Sequence, residues 1–401
     1  VSAGTAYVDE IRPSGLSRLA PIAGLLAVAG LGYGFATGDA ATVWRSFHVN
    51  YLYFGVLAQG GVVLSCIFTI VGAKWPGPIK RLAESLGAWT VVTPVLFLAD
   101  WLVGRTHIYP WLPVFEMKPK WLNETRLLAW DLGFMVVLAL LSQIFLASSR
   151  KLATPGVSEA DKAAARGRLK NLAPLICLTY AFGWSIICFD QVMSLTPTWY
   201  SNLFGAYFAW GGLLSAVTAT TVLAALHRNY PGLEGQITRE RLHDLGKLIF
   251  AFSIFWMYLF FSQYLVIWYG NLPEETQFFK ARLGSEFLMD TWYWSGWWER
   301  IDEPWVKISL SAWIGIWVIP FWCLLGQVPK KTWWFVSTIA TISLLGFWVE
   351  RNVLIWPSLE PQNSFAFLGP AQCAIALGFL GAFSLVGMLY RGRFMAVPAK
   401  P

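Results

Sequence analysis

Residues 243–269 read HDLGKLIFAFSIFWMYLFFSQYLVIWY. From Leu248 to Tyr269 no side chain is charged, and as a helix that run is long enough to cross the ~30 Å of bilayer hydrocarbon, which takes about 20 residues. The apolar residues are continuous rather than alternating, which excludes a strand of a closed barrel, the other structure that satisfies its backbone polar groups in lipid. Nine further runs of the same kind lie at 18–36, 50–73, 86–104, 126–147, 171–190, 202–226, 305–327, 332–356 and 369–390. The sequence therefore predicts an all-α polytopic membrane protein of ten spans, one transmembrane domain over residues 1–401, with a periplasmic interfacial loop at 270–304.

Composition agrees with that reading. Of 401 residues 56% are hydrophobic and 13% charged, about half the charged fraction of an ordinary soluble domain. The net charge of +7 does not point to nucleic acid, because the basic residues fall between apolar runs. An even number of spans puts both termini on one side. That side would carry 20 of the 30 Lys and Arg residues, so the positive-inside rule makes it cytoplasmic. The first run could also be read as a signal peptide ending near Ala36–Ala40, but its removal would leave an odd number of spans. Ser148–Lys170 reads as a cytoplasmic loop with a short surface helix. Gly270–Pro304 carries seven acidic against three basic residues and, with Trp305, the indoles of Trp292, Trp294, Trp297 and Trp298; it suits either an aromatic belt at the interface or a docking surface for a periplasmic partner. The five cysteines form no C-x-x-C, so no iron–sulfur site or attached haem is expected in this chain. Small residues at Gly30, Gly34 and Gly38, and at Gly211, Gly212 and Ser215, would let helices approach closely.

Ionisable groups inside spans are costly, so each is a candidate site. Asp100, Asp131 and Asp190 fall in the outer parts of the third, fourth and fifth spans, and Glu350 with Arg351 in the outer part of the ninth. At similar depth they could share a water-filled vestibule and exchange protons, Arg351 pairing with one of the acids; equally, Asp100, Asp190 and Glu350 could cap helix ends and face water. On the opposite side His243, Asp244 and Lys247 share one helix start, a proton-uptake point or simply a charged helix N-terminus. Further along that helix Ser253, Tyr258, Ser262, Gln263 and Tyr264 could carry a water chain.

Two stretches say more than their periodicity does. Asp190–Gly205 (DQVMSLTPTWYSNLFG) and His243–Phe252 with Phe261–Glu275 (HDLGKLIFAF and FSQYLVIWYGNLPEE) resemble two segments of the ActF family, the large membrane subunits of bacterial alternative complex III, a quinol:cytochrome c or quinol:electron acceptor oxidoreductase. The chain departs from the motif at Gln191, where Trp is usual, and at Asn202, where Thr is usual. The resemblance implies an NrfD/PsrC-like fold of two four-helix bundles with flanking helices, in the bacterial inner membrane. It implies partners: an ActC-like membrane subunit usually given the quinol pocket, a multihaem cytochrome c carrying c-type haem, and an iron–sulfur subunit. Menaquinol or ubiquinol would be the substrate of the complex, and this subunit would bind no cofactor, lend structural support and offer a proton path. Asp190, His243, Asp244, Lys247, Ser262, Gln263 and Tyr264 are the motif positions carried over for that path; Asp100, Asp131, Glu350 and Arg351 rest on depth alone. Two other readings stay open: a subunit that itself binds quinol, and a stand-alone secondary transporter with helices broken near Pro94 and Pro320.

Overall fold

The computed structural model describes residues 19–112, 114–154, 156–230, 233–284 and 303–394. Ten helices are long and apolar enough to cross a membrane: α1 (Ala20–Thr37), α2 (Ala40–Ile70), α3 (Pro78–Ile108), α4 (Glu124–Ala153), α5 (Glu159–Leu195), α6 (Phe204–His227), α7 (Arg239–Gly270), then, after the short α8 (Pro273–Leu283), α9 (Val306–Cys323), α10 (Trp333–Leu359) and α11 (Pro370–Gly392). Among the described residues there is no β-strand, only an isolated bridge between Val114 and Asn123. The chain is a multi-pass membrane protein.

Packing divides the spans into two groups of four. α2, α3, α4 and α5 form the first bundle, and α6, α7, α9 and α10 the second; α2 meets α6 between them, and α1 with α11 forms a pair laid against α2. Two four-helix bundles with flanking helices is thus the arrangement found. The α1–α11 crossing is tight because of its glycines: a Cβ on Gly30 would stand 2.5 Å from the Ala374 carbonyl oxygen, a contact only a residue without one can make. At the centre Gly212 does the same for α6 against Val56 of α2.

Several helices run further than hydropathy indicates. α2 starts at Ala40, ten residues before the expected span at 50, because Asp39 caps it by accepting from the Thr42 N–H at 3.1 Å. That bond holds the exposed Asp39 carboxyl below its ordinary range, so its contribution is present above the unfolded carboxyl value and lost as pH falls through the folded one. The expected surface helix in Ser148–Lys170 is absent: α4 runs to Ala153 and α5 begins at Glu159, capped by Ser158. The charged stretch is the first turns of a helix longer than the bilayer is thick.

α3 and α9 are irregular. In α3 a 3₁₀ turn over Gly87–Val91 precedes Pro94 and a π-turn spans Asp100–Gly104; in α9 a π-turn over Ile314–Val318 leads into Pro320. Each proline withholds an N–H from the carbonyl four residues back, and the local change of pitch absorbs that loss. Of the tryptophans expected at the interface, Trp292, Trp294, Trp297 and Trp298 lie outside the described residues. Trp305 is instead buried, stacked near Phe367 with its indole N–H donated to the Glu360 carbonyl at 3.2 Å.

Candidate functional site

Each helix of the first bundle places a polar side chain in its interior at one level. α2 contributes His48, α3 Asp100, α4 Asp131, and α5 Asp190 and Gln191; all five are fully buried. The alternative in which Asp100 and Asp190 cap helix ends in water therefore fails. His48 Nε2 lies 2.9 Å from the Gln191 backbone oxygen and Nδ1 2.8 Å from Asp100 Oδ2. A carbonyl oxygen only accepts, so Nε2 carries a hydrogen. Nδ1 then either accepts from a protonated Asp100 or donates to its carboxylate, because a bare ring lone pair facing a bare carboxylate at that distance is repulsive. Either way one proton sits on the Nδ1–Oδ2 line.

Gln191 ties this pair to the next acids. Its amide nitrogen donates to Asp131 Oδ2 at 2.7 Å, and the Asp131 and Asp190 carboxyls interact with each other. Asp190 is ion-paired with Arg126 of α4, whose side chain reaches partial exposure, lies over Trp121 at 4.3 Å and donates Nε to the Trp121 carbonyl at 2.6 Å. Ser194 donates to the Asp190 carbonyl at 2.5 Å and receives the Trp111 indole N–H at 3.1 Å. The Tyr51 and Tyr109 hydroxyls, Asp100 Oδ1, Asp131 Oδ1 and Gln191 Oε1 are buried with no hydrogen-bond partner among the described residues, so the cluster has donors and acceptors to spare.

The same bundle carries polar groups along its length. Met135, one turn from Asp131, lines a void of about 10 Å³ together with Gly55, Gln59, Thr90 and Thr93; that is roughly one water. Gln59 donates to Ser142 at 2.9 Å, and Gln143 donates to Thr90 at 3.0 Å. At the far end Glu84, also buried, accepts from Ser65 at 2.9 Å, Ser149 at 2.6 Å and Arg81 at 3.2 Å. His48 and Ser65 are both on α2, which separates the two ends by about 25 Å.

The second bundle holds Glu350 and Arg351, apart from the three aspartates that depth alone grouped with them. Arg351 Nη1 donates to Glu350 Oε2 at 2.5 Å and Nη2 to the Phe208 carbonyl at 3.2 Å, with the guanidinium 3.8 Å over the Phe208 ring. Glu350 borders a cavity of about 370 Å³ walled by aromatic rings, among them Tyr207, Trp256, Phe260 and Phe279. Gln263 and Tyr264 also line it, and Ser201 donates to Gln263 Oε1 at 3.2 Å. α8 closes one side through Arg282, which donates to the Phe278 and Leu354 carbonyls at 2.8 and 2.7 Å and to Ser358 at 2.7 Å. Burial pulls the Arg282 guanidinium well below its usual range. Glu350 Oε1, Trp256 Nε1 and Arg282 Nε have no hydrogen-bond partner among the described residues.

Elsewhere on α7 the candidates disperse. Asp244 and Lys247 pair at 2.6 Å at the exposed start of the helix, with His243 beside them, far from both clusters. Ser253 donates to the Phe250 carbonyl of its own helix, Tyr258 is exposed, and Ser262 is half-buried beside Gln263. His48, Tyr51, Arg126, Glu84 and Arg282 were not singled out by sequence. His48 lies two residues outside the apolar run at 50–73 and inside the helix, which begins at Ala40. Among the described residues no three His, Cys, Asp or Glu side chains are placed to hold a metal ion.

Neither a protein-family model nor a curated protein matches the sequence. Among solved structures the chain is similar to the bd oxidase from Geobacillus thermodenitrificans, with a TM-score of 0.54 and 12% identity over 90% of this chain and 99% of that one. The likeness is one of fold and leaves the residues of the site to be argued from their own geometry.

Proposed function

We propose that this chain is a cofactor-free membrane subunit of a quinol-oxidising electron-transfer complex of the alternative complex III type, in the bacterial inner membrane with both termini cytoplasmic. In this reading it braces the assembly and conducts protons through its first bundle. Support for the complex comes from the two motif stretches and from a fold shared with a protein named as an oxidase. Its partners would be an ActC-like subunit, a multihaem cytochrome c and an iron–sulfur subunit. The observation that carries the proton path is the buried set His48, Asp100, Asp131 and Asp190, one helix each, continued by the void and amides towards Glu84. The intake end is then Glu84 rather than His243, because the latter sits on a helix of the other bundle. A shared proton between His48 and Asp100, a chain of acids and an Arg126-paired outlet are the parts a relay needs.

The test is quinol-driven proton release by the purified complex in sealed vesicles. Asp131→Asn and Asp100→Asn should each slow release at least tenfold while leaving the subunits assembled; unchanged release would end the conduction reading.

A second reading has its own observation. The cavity beside Glu350 is apolar, within the range of small-molecule sites, and among the described residues one acceptor atom (Glu350 Oε1) and two donor atoms (Trp256 Nε1, Arg282 Nε) of its lining residues have no hydrogen-bond partner. A hydroquinone offers the matching hydroxyl donor and oxygen acceptor, so this subunit would itself take a quinol there. Photolabelling by an azidoquinone should then mark α7 or α9 in the wild type and not in Glu350→Gln; labelling confined to another subunit removes this reading.

A further inference from the structure

A separate cleft opens between α6 and α10 at the end opposite the buried acids. It has a volume of about 460 Å³ and is lined by Val222, Ala225 and Leu226, by Arg228 and Asn229 just past the end of α6, and by Trp333, Ser337, Thr338, Thr341 and Ile342 of α10. Arg228 stands at its mouth. Its guanidinium lies 3.2 Å over the Trp333 ring and Nη1 donates to the Ala225 carbonyl at 3.2 Å. Both partners are neutral, so among the described residues the charge is held in place without being cancelled and most of the five N–H groups remain available. Asn229 is exposed beside it, and Leu226 and Trp333 are exposed on either lip.

A flexible hydrocarbon chain fits a cleft of about 460 Å³. The chemistry runs from a cation and an amide at the mouth to Val222, Leu226 and Ile342 within, which is the polarity of an amphiphile with an anionic head. Lys247, Lys330 and Lys331 gather at the same end of the molecule, and basic groups at that level favour anionic headgroups.

We propose that this cleft binds one anionic phospholipid, its phosphate on Arg228 and Asn229 and an acyl chain along Val222, Leu226 and Ile342. The indole of Trp333 positions the guanidinium and sits at the headgroup level, where such rings settle.

Native mass spectrometry of the purified full-length chain, with whatever subunits it brings, tests this after mild delipidation and titration with defined lipids. Phosphatidylglycerol should give one persistent adduct, and phosphatidylcholine of the same chain length should bind about fivefold more weakly, the weight of one basic side chain at an anionic surface. Arg228→Gln should bring the two lipids level. Thr341→Trp, which fills the cleft and keeps the charge, should remove the adduct, so the proposal stays testable if Arg228→Gln does not accumulate. Equal retention of both lipids by the wild type, or an adduct that survives Thr341→Trp, overturns it. Displacement of the lipid by inorganic phosphate also overturns it, since that would make the site one for a free anion with no chain in the cleft.

Discussion

The two bundles have the same helix count and one deeply buried helix each, α2 and α6, yet they fill their centres in opposite ways. The first brings ionisable side chains into contact and leaves a void of about 10 Å³; the second keeps one acid and one arginine together and leaves about 370 Å³ open. Buried charge is affordable in a membrane only when it is paired or hydrogen-bonded, and His48–Asp100, Gln191–Asp131 and Arg126–Asp190 meet that condition from four helices. In the second bundle the Glu350–Arg351 pair is made by adjacent residues of one helix, and its tie to α6 runs through the Phe208 carbonyl and ring rather than through a second buried charge.

The sharpest way to break that comparison is to remove one partner in the first bundle. His48→Ala strands Asp100 without its hydrogen bond and leaves the Gln191 carbonyl without a donor. Breaking a buried pair costs about 3–5 kcal/mol, so the variant should accumulate poorly or lose its thermal transition in detergent. Glu350→Gln keeps an oxygen for Arg351 and should lower that transition far less. Equal losses at both positions would mean that the two polar centres do the same structural work.

Packing gives the next contrast. A Cβ on Gly55 would lie 2.8 Å from Thr93 and 3.1 Å from Trp184, so Gly55→Leu should overpack the first bundle at a cost of about 1–3 kcal/mol. Leu310→Trp adds comparable volume into the cavity of the second bundle and should shift stability by less than about 1 kcal/mol. Thermal scanning of both variants in the same detergent decides the point, and a Leu310→Trp protein as unstable as Gly55→Leu would show that the cavity is not open space.

The spans were legible in the sequence because length and hydropathy suffice for them, and so were Asp100, Asp131, Asp190 and Glu350, since charge in an apolar run stands out, whereas Glu84 lies just before its run. The assignment of those acids to bundles was not. Depth along a helix follows from sequence position, but which helices face one another does not, so Asp131 and Glu350 looked equivalent and lie in different interiors. His48 was missed for a related reason. Arg45, Ser46, His48 and Asn50 depress the hydropathy at the start of α2, although Ser46, His48 and Asn50 are buried and most of these groups find partners within the fold: His48 bonds Asp100 and the Gln191 carbonyl, Asn50 accepts the Trp348 indole N–H at 3.0 Å and Arg45 pairs with Glu360. A helix enclosed by others can carry such groups without facing lipid, and hydropathy reads the cost without seeing the partners. Arg282 escaped notice because nothing marks a short helix after a span as turning inward.

The smallest effect is expected where the motif resemblance spoke most clearly. Asp244 and Lys247 form an ion pair at 2.6 Å with side chains 27% and 55% exposed, and exposed pairs of this kind contribute about 0–1 kcal/mol. Asp244→Asn should therefore leave stability within that margin. Because α7 belongs to the second bundle, it should also leave quinol-linked proton release unchanged while Asp131→Asn slows it at least tenfold. Measured side by side in vesicles, the two variants locate proton intake: a loss with Asp244→Asn as large as with Asp131→Asn would put the intake on α7, and the bundles would then have to exchange protons across the α2–α6 contact, which is tight where Gly212 meets Val56.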